Sequence, residues 1–289
     1  MMLTYNLGPL LKEIRNARKI TLQKLADETL SVSQLSKFEN GTTTLTVNKL
    51  LPLLNKLNVT YEEFFIEANA YHKTEIEHMI INIKKYYMKN DRAALEKLCN
   101  EQYARYEKTH ILFHKLNTIM IASILEELTN EKYVTDEMRE SLAAYFFEVE
   151  EWRFYEVMLF GNSMHTLTLD MLKLITTELM KSPILSAKTA RNKQMRIQTL
   201  YNVALTMIEN DSLEFAKTLI DEMNTVLEKD ESLILEHIKL RYLKGYYAYM
   251  IGRQNEGKEM MKETIDTFHL YNCVHLAQNF EAHYKASIQ

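Results

Sequence analysis

Apolar residues recur every three or four positions from one end of the chain to the other, the period of a helix that buries one stripe. Leu7, Leu10, Leu11 and Ile14 form the first such stripe. Thr21 stands where a cap opens a second helix, expected over 22–28 with Leu25 and Ala26 turned inward. After Thr29-Leu30-Ser31 a third helix is expected through Ser33 to Phe38, stopping at Asn40-Gly41, where both residues tolerate left-handed backbone. A fourth is expected over 47–57 on Leu50, Leu51, Leu54 and Leu57, with Pro52 leaving open a later start or a bend. Thr60 caps a fifth over 61–66, in which Phe64 and Phe65 close a small core.

Beyond a helical linker through Ala68, Ala70 and Tyr71, the pattern predicts roughly ten more helices of about 12–20 residues. Polar breaks are expected at Asn90-Asp91, Lys108-Thr109, 130–135, 161–166, Ser182-Pro183, Asn210-Asp211, Lys229-Asp230 and 252–256. Long helices on short connectors suit a solenoid of helix pairs. Gly245 and Gly257 lie twelve apart, as do Ala204 and Ala216, with Tyr242 and Tyr201 each standing three before its pair. The two copies are offset by 41 residues, longer than the usual tetratricopeptide spacing of about 34. An irregular bundle is the alternative. The expected fold is all-α: a five-helix domain over 1–66, then a right-handed, tetratricopeptide-like helical-repeat solenoid over 67–289.

Composition narrows the function. Six glycines and three prolines are too few for a turn-dense sheet fold, and no Walker loop, GxGxxG or GxSxG occurs. His110 and His114 share a helix face but have no third metal ligand nearby, and Glu148, Glu150 and Glu151 read as a solvated face. Neither catalysis, nor a metal, nor a cofactor is expected. The longest apolar stretch, 116–125, is too short to span a bilayer, so no membrane partner is expected. With no signal peptide indicated and Cys99 and Cys273 standing alone, a cytoplasmic location is expected.

Charge singles out the first domain. Residues 1–60 hold eight Lys/Arg against four Asp/Glu, net +4, so a chain of net −4 carries −8 in the remainder. A basic amino-terminal domain on an acidic body suits a polyanion gripped at one end. The first three helices have helix-turn-helix spacing. On the third, Leu35 and Phe38 bury while Ser33, Gln34, Ser36 and Lys37 point outward, types that read base edges or clasp phosphates. Ser33 and Lys37 are one turn apart and can enter one major groove, where Lys37 meets either a guanine edge or a phosphate. Gln34 and Asn40 are candidates for phosphate or sugar, with Arg18, Lys19 and Thr21 flanking the backbone. Such domains read double-stranded DNA, here a promoter operator, as dimers, so a homodimer is expected.

Two segments carry a family resemblance. ADETLSVSQLSKFENG, with the following KLLPLLNKLNVTYEEF, is similar to a pattern LADxxLSxSQISRFERG, and EEWRFYEVMLFGNS is similar to WxxYExxLxGN. The chain resembles the Rgg/MutR transcriptional regulators, peptide-responsive members of the RRNPP group with an XRE-type (phage-repressor) helix-turn-helix. The short turn between helices two and three, and Leu22 where glutamine is usual, favour this family over generic repressors. Lys37 and Asn40 depart from the family's arginines, and Val47 stands where some relatives carry a dimer-bridging cysteine, so that bridge is not expected.

The resemblance implies that Arg15 pairs with Glu39, and that the carboxy-terminal array binds a short hydrophobic signalling peptide that switches transcription in quorum sensing. Asn202 is the candidate clamp on the peptide backbone; Asn162 either joins it or caps a helix end. Arg153 and Arg196 are candidates for a peptide carboxylate, while Trp152 and Tyr155 read as packing residues. A binding scaffold that no longer reads DNA, and a constitutive repressor without peptide gating, are the alternatives.

Overall fold

The computed structural model describes residues 7–68, 74–181 and 189–288. Those residues are almost wholly helical and contain no strand. The expected linker residues Ala70 and Tyr71 and the break at Ser182-Pro183 lie outside the described residues. The chain divides into two compact units, Met1–Lys84 and Lys85–Gln289.

The first unit holds α1 (Leu7–Ala17), α2 (Leu22–Leu25), α3 (Val32–Glu39), α4 (Val47–Lys56) and α5 (Tyr61–Ala68), and α6 (Glu75–Met88) carries the chain across the division. Leu11, Leu25, Leu30, Leu35, Leu53, Leu54, Leu57 and Phe64 are its most enclosed core residues. Pro52 lies within α4, which starts at Val47 all the same. The second helix ends three residues sooner than the periodicity suggests, at Leu25, because Ala26 turns extended. Side chains supply the partners that further helical turns would have given. The Asp27 carboxylate accepts from the Thr29 and Leu30 amides, and Lys56 Nζ donates to the Leu25 carbonyl at 3.1 Å and to Asp27 at 2.5 Å. The Lys56 ammonium and the Thr29 bonds hold the Asp27 carboxyl well below the usual carboxylate range.

The second unit runs α7 (Arg92–Thr109), α8 (Leu112–Thr129), α9 (Asp136–Glu148), α10 (Phe154–Ser163), a 3-10 turn (Met164–Thr166), α11 (Leu169–Lys181), α12 (Ala190–Glu209), α13 (Leu213–Leu227), α14 (Ile234–Met250), α15 (Gln254–Leu270) and α16 (Val274–Ser287). Hairpins form from α7 and α8, α12 and α13, and α14 and α15. Within this unit α8, α10, α12 and α14 also pack one against the next, making an inner row with α13 and α15 outside it. All ten residues from Leu116 to Leu125 are buried, and the hydroxyls of Thr118 and Ser123 in that run donate to carbonyls one turn back. Asn90, His110, Asn130, Asp211 and Asn272 take left-handed backbone between helices. The periodicity did not suggest the breaks at 149–153 and 271–273; the expected break at 161–166 begins only after Ser163, since Gly161 lies inside α10.

Gly161 is there for space. A methyl on it would lie 3.0 Å from Thr199 Oγ1 of α12. A closer crossing within this unit joins α14 to α15, where a Cβ on Gly245 would stand 2.9 Å from the Gly257 oxygen, and one on Gly257 only 2.5 Å from the Gly245 oxygen and 2.6 Å from the Tyr249 nitrogen. Ala204 and Ala216, the corresponding pair on α12 and α13, are fully buried. Inside a helix Gly→Ala ordinarily stabilises by about 0.5–1 kcal/mol. At Gly257 the sign is expected to reverse, to a loss of about 1–3 kcal/mol, because the atoms in the way are backbone. Urea unfolding of Gly257→Ala against wild type checks this, and equal or raised stability contradicts the crossing.

Candidate functional site

The third helix is fixed at both ends. Ser31 caps it: its hydroxyl accepts from the Gln34 amide at 3.2 Å, while Gln34 Oε1 accepts from the Ser31 amide at 3.2 Å, a reciprocal capping box. At the far end Glu39 is 2% exposed and takes a two-pronged bond from Arg15, Nε to Oε1 at 2.7 Å and Nη2 to Oε2 at 2.8 Å. Arg15 Nη1 also donates to the Ile20 carbonyl at 2.7 Å, so the one guanidinium joins α1, the turn after it and α3. The Glu39 hydrogen bonds push the Arg15 guanidinium above its ordinary value against the opposing effect of burial. The fork presents planar, matched geometry that a lysine could not.

Gly8 was not legible as part of this site. It is buried on α1 directly over the end of α3, and a methyl there would overlap the Phe38 carbonyl. Its position in the first turn, flanked by Leu7 and Pro9, looks like an ordinary helix start; a glycine among good helix formers was the available signal.

With α3 held so, Ser33, Gln34 and Lys37 are exposed and Ser36 half-buried. The Gln34 carbonyl is spent on the cap, which leaves its amide N–H groups to offer. Asn40 is exposed and its Oδ1 accepts from Lys12 Nζ at 2.8 Å, adding a cation the sequence reading did not nominate. Arg18, Lys19 and Thr21 are exposed in the segment leading into α2, with Lys19 in left-handed backbone and the Thr21 hydroxyl accepting from the Lys24 amide at 3.3 Å. All eight nominated residues thus lie in or beside the α1–α3 segment, and none is fully buried.

The second candidate site lies on α12. Its residues that are not buried, among them Arg191, Gln194, Gln198, Asn202, Thr206 and Glu209, recur at helical spacing and form one open stripe. Polar side chains link that stripe to α14: Gln194 Nε2 donates to Glu236 at 2.6 Å, and Lys239 Nζ donates to Gln198 Oε1 at 2.7 Å. Gln198 Nε2 in turn donates to Asn202 Oδ1 at 2.8 Å. Asn202 is half-buried and oriented through that bond.

The other nominated residues stand elsewhere. Arg196 is 1% exposed, its Nη2 on the Leu179 carbonyl at 2.7 Å, and desolvation lowers its guanidinium from the ordinary value. Arg153 is exposed ahead of α10 and pairs with Glu151 at 2.7 Å through Nε. Asn162 caps nothing: its Nδ2 donates to the Met158 carbonyl, one turn back in the same helix, at 2.7 Å. Trp152 stacks on Phe146 and meets Phe160 edge-on, while the Tyr155 hydroxyl donates to Asn117 Oδ1 at 3.0 Å.

Residues 96–282 match the model of the carboxy-terminal domain of the helix-turn-helix transcriptional regulator Rgg, and residues 11–64 match a helix-turn-helix model. The chain belongs to the Rgg family of transcriptional regulators. It is not an enzyme family. The SHP pheromone receptor Rgg2 of Streptococcus dysgalactiae is 28% identical, with TM-score 0.83 over 98% of this chain and 100% of that one. Two more distant structures share the fold: a Listeria monocytogenes protein (TM-score 0.87, 18% identity, 98% of this chain and 97% of the other) and PrgX in its cCF10 complex (TM-score 0.82, 16% identity, 98% and 92%). No helix among the described residues is long and apolar enough to cross a membrane.

Removing one side of a buried ion pair strands the other charge and costs about 3–5 kcal/mol. Arg15→Met and Glu39→Leu alone are therefore each expected to lower the stability of this Rgg-family chain on that scale, and the double variant to recover most of it. Chemical denaturation of the four proteins tests the coupling; additive losses contradict it.

Proposed function

We propose that the protein is a homodimeric, sequence-specific transcriptional regulator of a promoter operator, gated by a short hydrophobic signalling peptide. DNA reading is assigned to residues 1–66, and peptide binding and dimerisation to 67–289. The observation that carries this is the exposed polar face of α3, anchored by the buried Arg15–Glu39 fork. A reading helix has to enter the groove with its orientation already set, since the ordering of a loose one would be charged against binding.

Ser33 is assigned to a base edge and Lys37 to a guanine edge or a phosphate. Arg18, Lys19, Thr21, Gln34, Ser36 and Asn40 are assigned to phosphate and sugar. One module makes few contacts, and pairing two over half-sites about 34–36 Å apart supplies the rest. The peptide part rests on the open amide stripe of α12, with Asn202 as the clamp, and on the full-length similarity to a pheromone receptor. An asparagine amide both donates and accepts, as an extended peptide backbone requires. A groove is assigned to the open stripe of α12 and the α14 residues bonded to it; Arg153 and Asn162, at the two ends of α10, are candidates beside it, and Arg196 joins them only if its buried guanidinium turns outward. A chain that binds operator DNA works in the cytoplasm.

Mobility shift on the DNA flanking the gene tests the first half. Lys37→Ala and Ser33→Ala are each expected to weaken specific binding by about 1–3 kcal/mol, and Lys37→Ala also to flatten the salt dependence if it meets a phosphate. Indifference to both changes points instead to a binding scaffold. For the second half, Asn202→Ala is expected to weaken saturable binding of labelled apolar peptides; no saturable binding in wild type points to a constitutive repressor.

A further inference from the structure

Beside the open stripe of α12 stands a cation other than the two nominated arginines, and other than Arg191, whose guanidinium lies over the Phe154 ring. Lys239 belongs to α14 but lies beside the open stripe of α12, half-buried, with its ammonium on Gln198. An ammonium carries three donors. Among the described residues Gln198 Oε1 is its one hydrogen-bond acceptor. Glu236 acts on it by charge without a direct ion pair, and is itself buried and occupied by Gln194. Half-buried Leu235 stands one helical turn before Lys239 on α14 and half-buried Ile238 directly before it, and half-buried Met195 and Leu205 lie along α12. A cation with spare donors, among apolar side chains and next to the candidate clamp, is complementary to a carboxylate on an otherwise apolar chain. Arg196 and Arg153 are already engaged, the first in the core and the second with Glu151.

We propose that Lys239 is the specificity residue of the α12–α14 groove, selecting peptides that carry one carboxylate among apolar residues. This rests on the peptide reading of the groove and adds the residue that selects for the charge on the ligand. Burial pushes the Lys239 ammonium below its ordinary value against the opposing charge of Glu236, so an incoming carboxylate would offset the lost hydration. Gln198, bonded to both Lys239 and Asn202, sets the two contacts in one register.

The test uses the full chain and fluorescein-labelled octapeptide pools of Leu, Ile and Val, read by anisotropy. One pool carries a single Glu at varied positions, a second has Gln there, both with amidated ends, and a third has a free carboxyl terminus and no acidic side chain. Wild type is expected to prefer either the first or the third pool over the second by tenfold or more, which also tells a side-chain carboxylate from a terminal one. Lys239→Met is expected to lose that preference while still binding the Gln pool, and Lys239→Arg to keep it. Binding of the Gln pool by Lys239→Met shows that the variant is folded, and unchanged thermal melting supports it. Equal binding of all three pools by wild type, or a preference that survives in Lys239→Met, overturns the proposal and leaves the groove standing. If wild type binds none of the pools, groove and proposal fall together.

Discussion

Backbone-to-backbone contact between helices is the constraint on which this structure depends. Four of the six glycines, Gly8, Gly161, Gly245 and Gly257, occupy places where a methyl group would press into a neighbouring helix or its side chain. The first of these sets how closely α1 lies on α3, and the buried Arg15–Glu39 fork then fixes the angle. The other three set the spacing of the helices in the second unit. None of these residues touches a ligand in the proposed mechanism, yet each decides where a ligand-facing residue stands. Packing of this kind is discrete rather than elastic, so the exposed faces inherit defined positions from the buried crossings.

The two proposed sites share one principle of construction. In each, a side chain that could bind a ligand is first oriented by a neighbour: Gln34 by Ser31, Asn40 by Lys12, Asn202 by Gln198, and Gln198 by Lys239. Orientation of this sort lowers the entropy cost when a partner arrives. It also limits what each group can offer. Gln34 has used its carbonyl on the helix cap and is left mainly as a donor, whereas the Asn202 carbonyl takes one bond from Gln198 and keeps a second lone pair, so the asparagine can still donate and accept.

Much of the architecture was legible in the sequence because helices with one buried stripe announce themselves by period. The stripe of Leu7, Leu11 and Ile14, the capping residues Thr21 and Thr60, and the paired small residues at 204/216 and 245/257 all follow local or nearly local rules. What was not legible depends on contacts distant in sequence. The second helix stops at Leu25, where Ala26 turns extended and Lys56, far along the chain, takes the carbonyl left at its end. Arg196 looked like a ligand-facing cation because nothing local says that Leu179 receives it in the core. Lys239 was missed although a signal existed: it follows Gln198 by 41 residues, the same offset that relates Tyr201 to Tyr242. Equivalent positions on successive inner helices of a repeat array lie side by side, so the repeat period itself points from one to the other.

The central claim is that an anchored polar helix at the amino-terminal end reads duplex DNA. The most direct measurement is the affinity of the full chain for a labelled duplex from the region flanking its gene, titrated over a range of salt concentrations beside a scrambled duplex of the same length. A linear fall of log affinity with log salt on both duplexes, with the flanking sequence bound at least a thousandfold more tightly (roughly the lower limit for specific readers), is the predicted result. Equal affinity for the two duplexes, or binding that ignores salt, contradicts it.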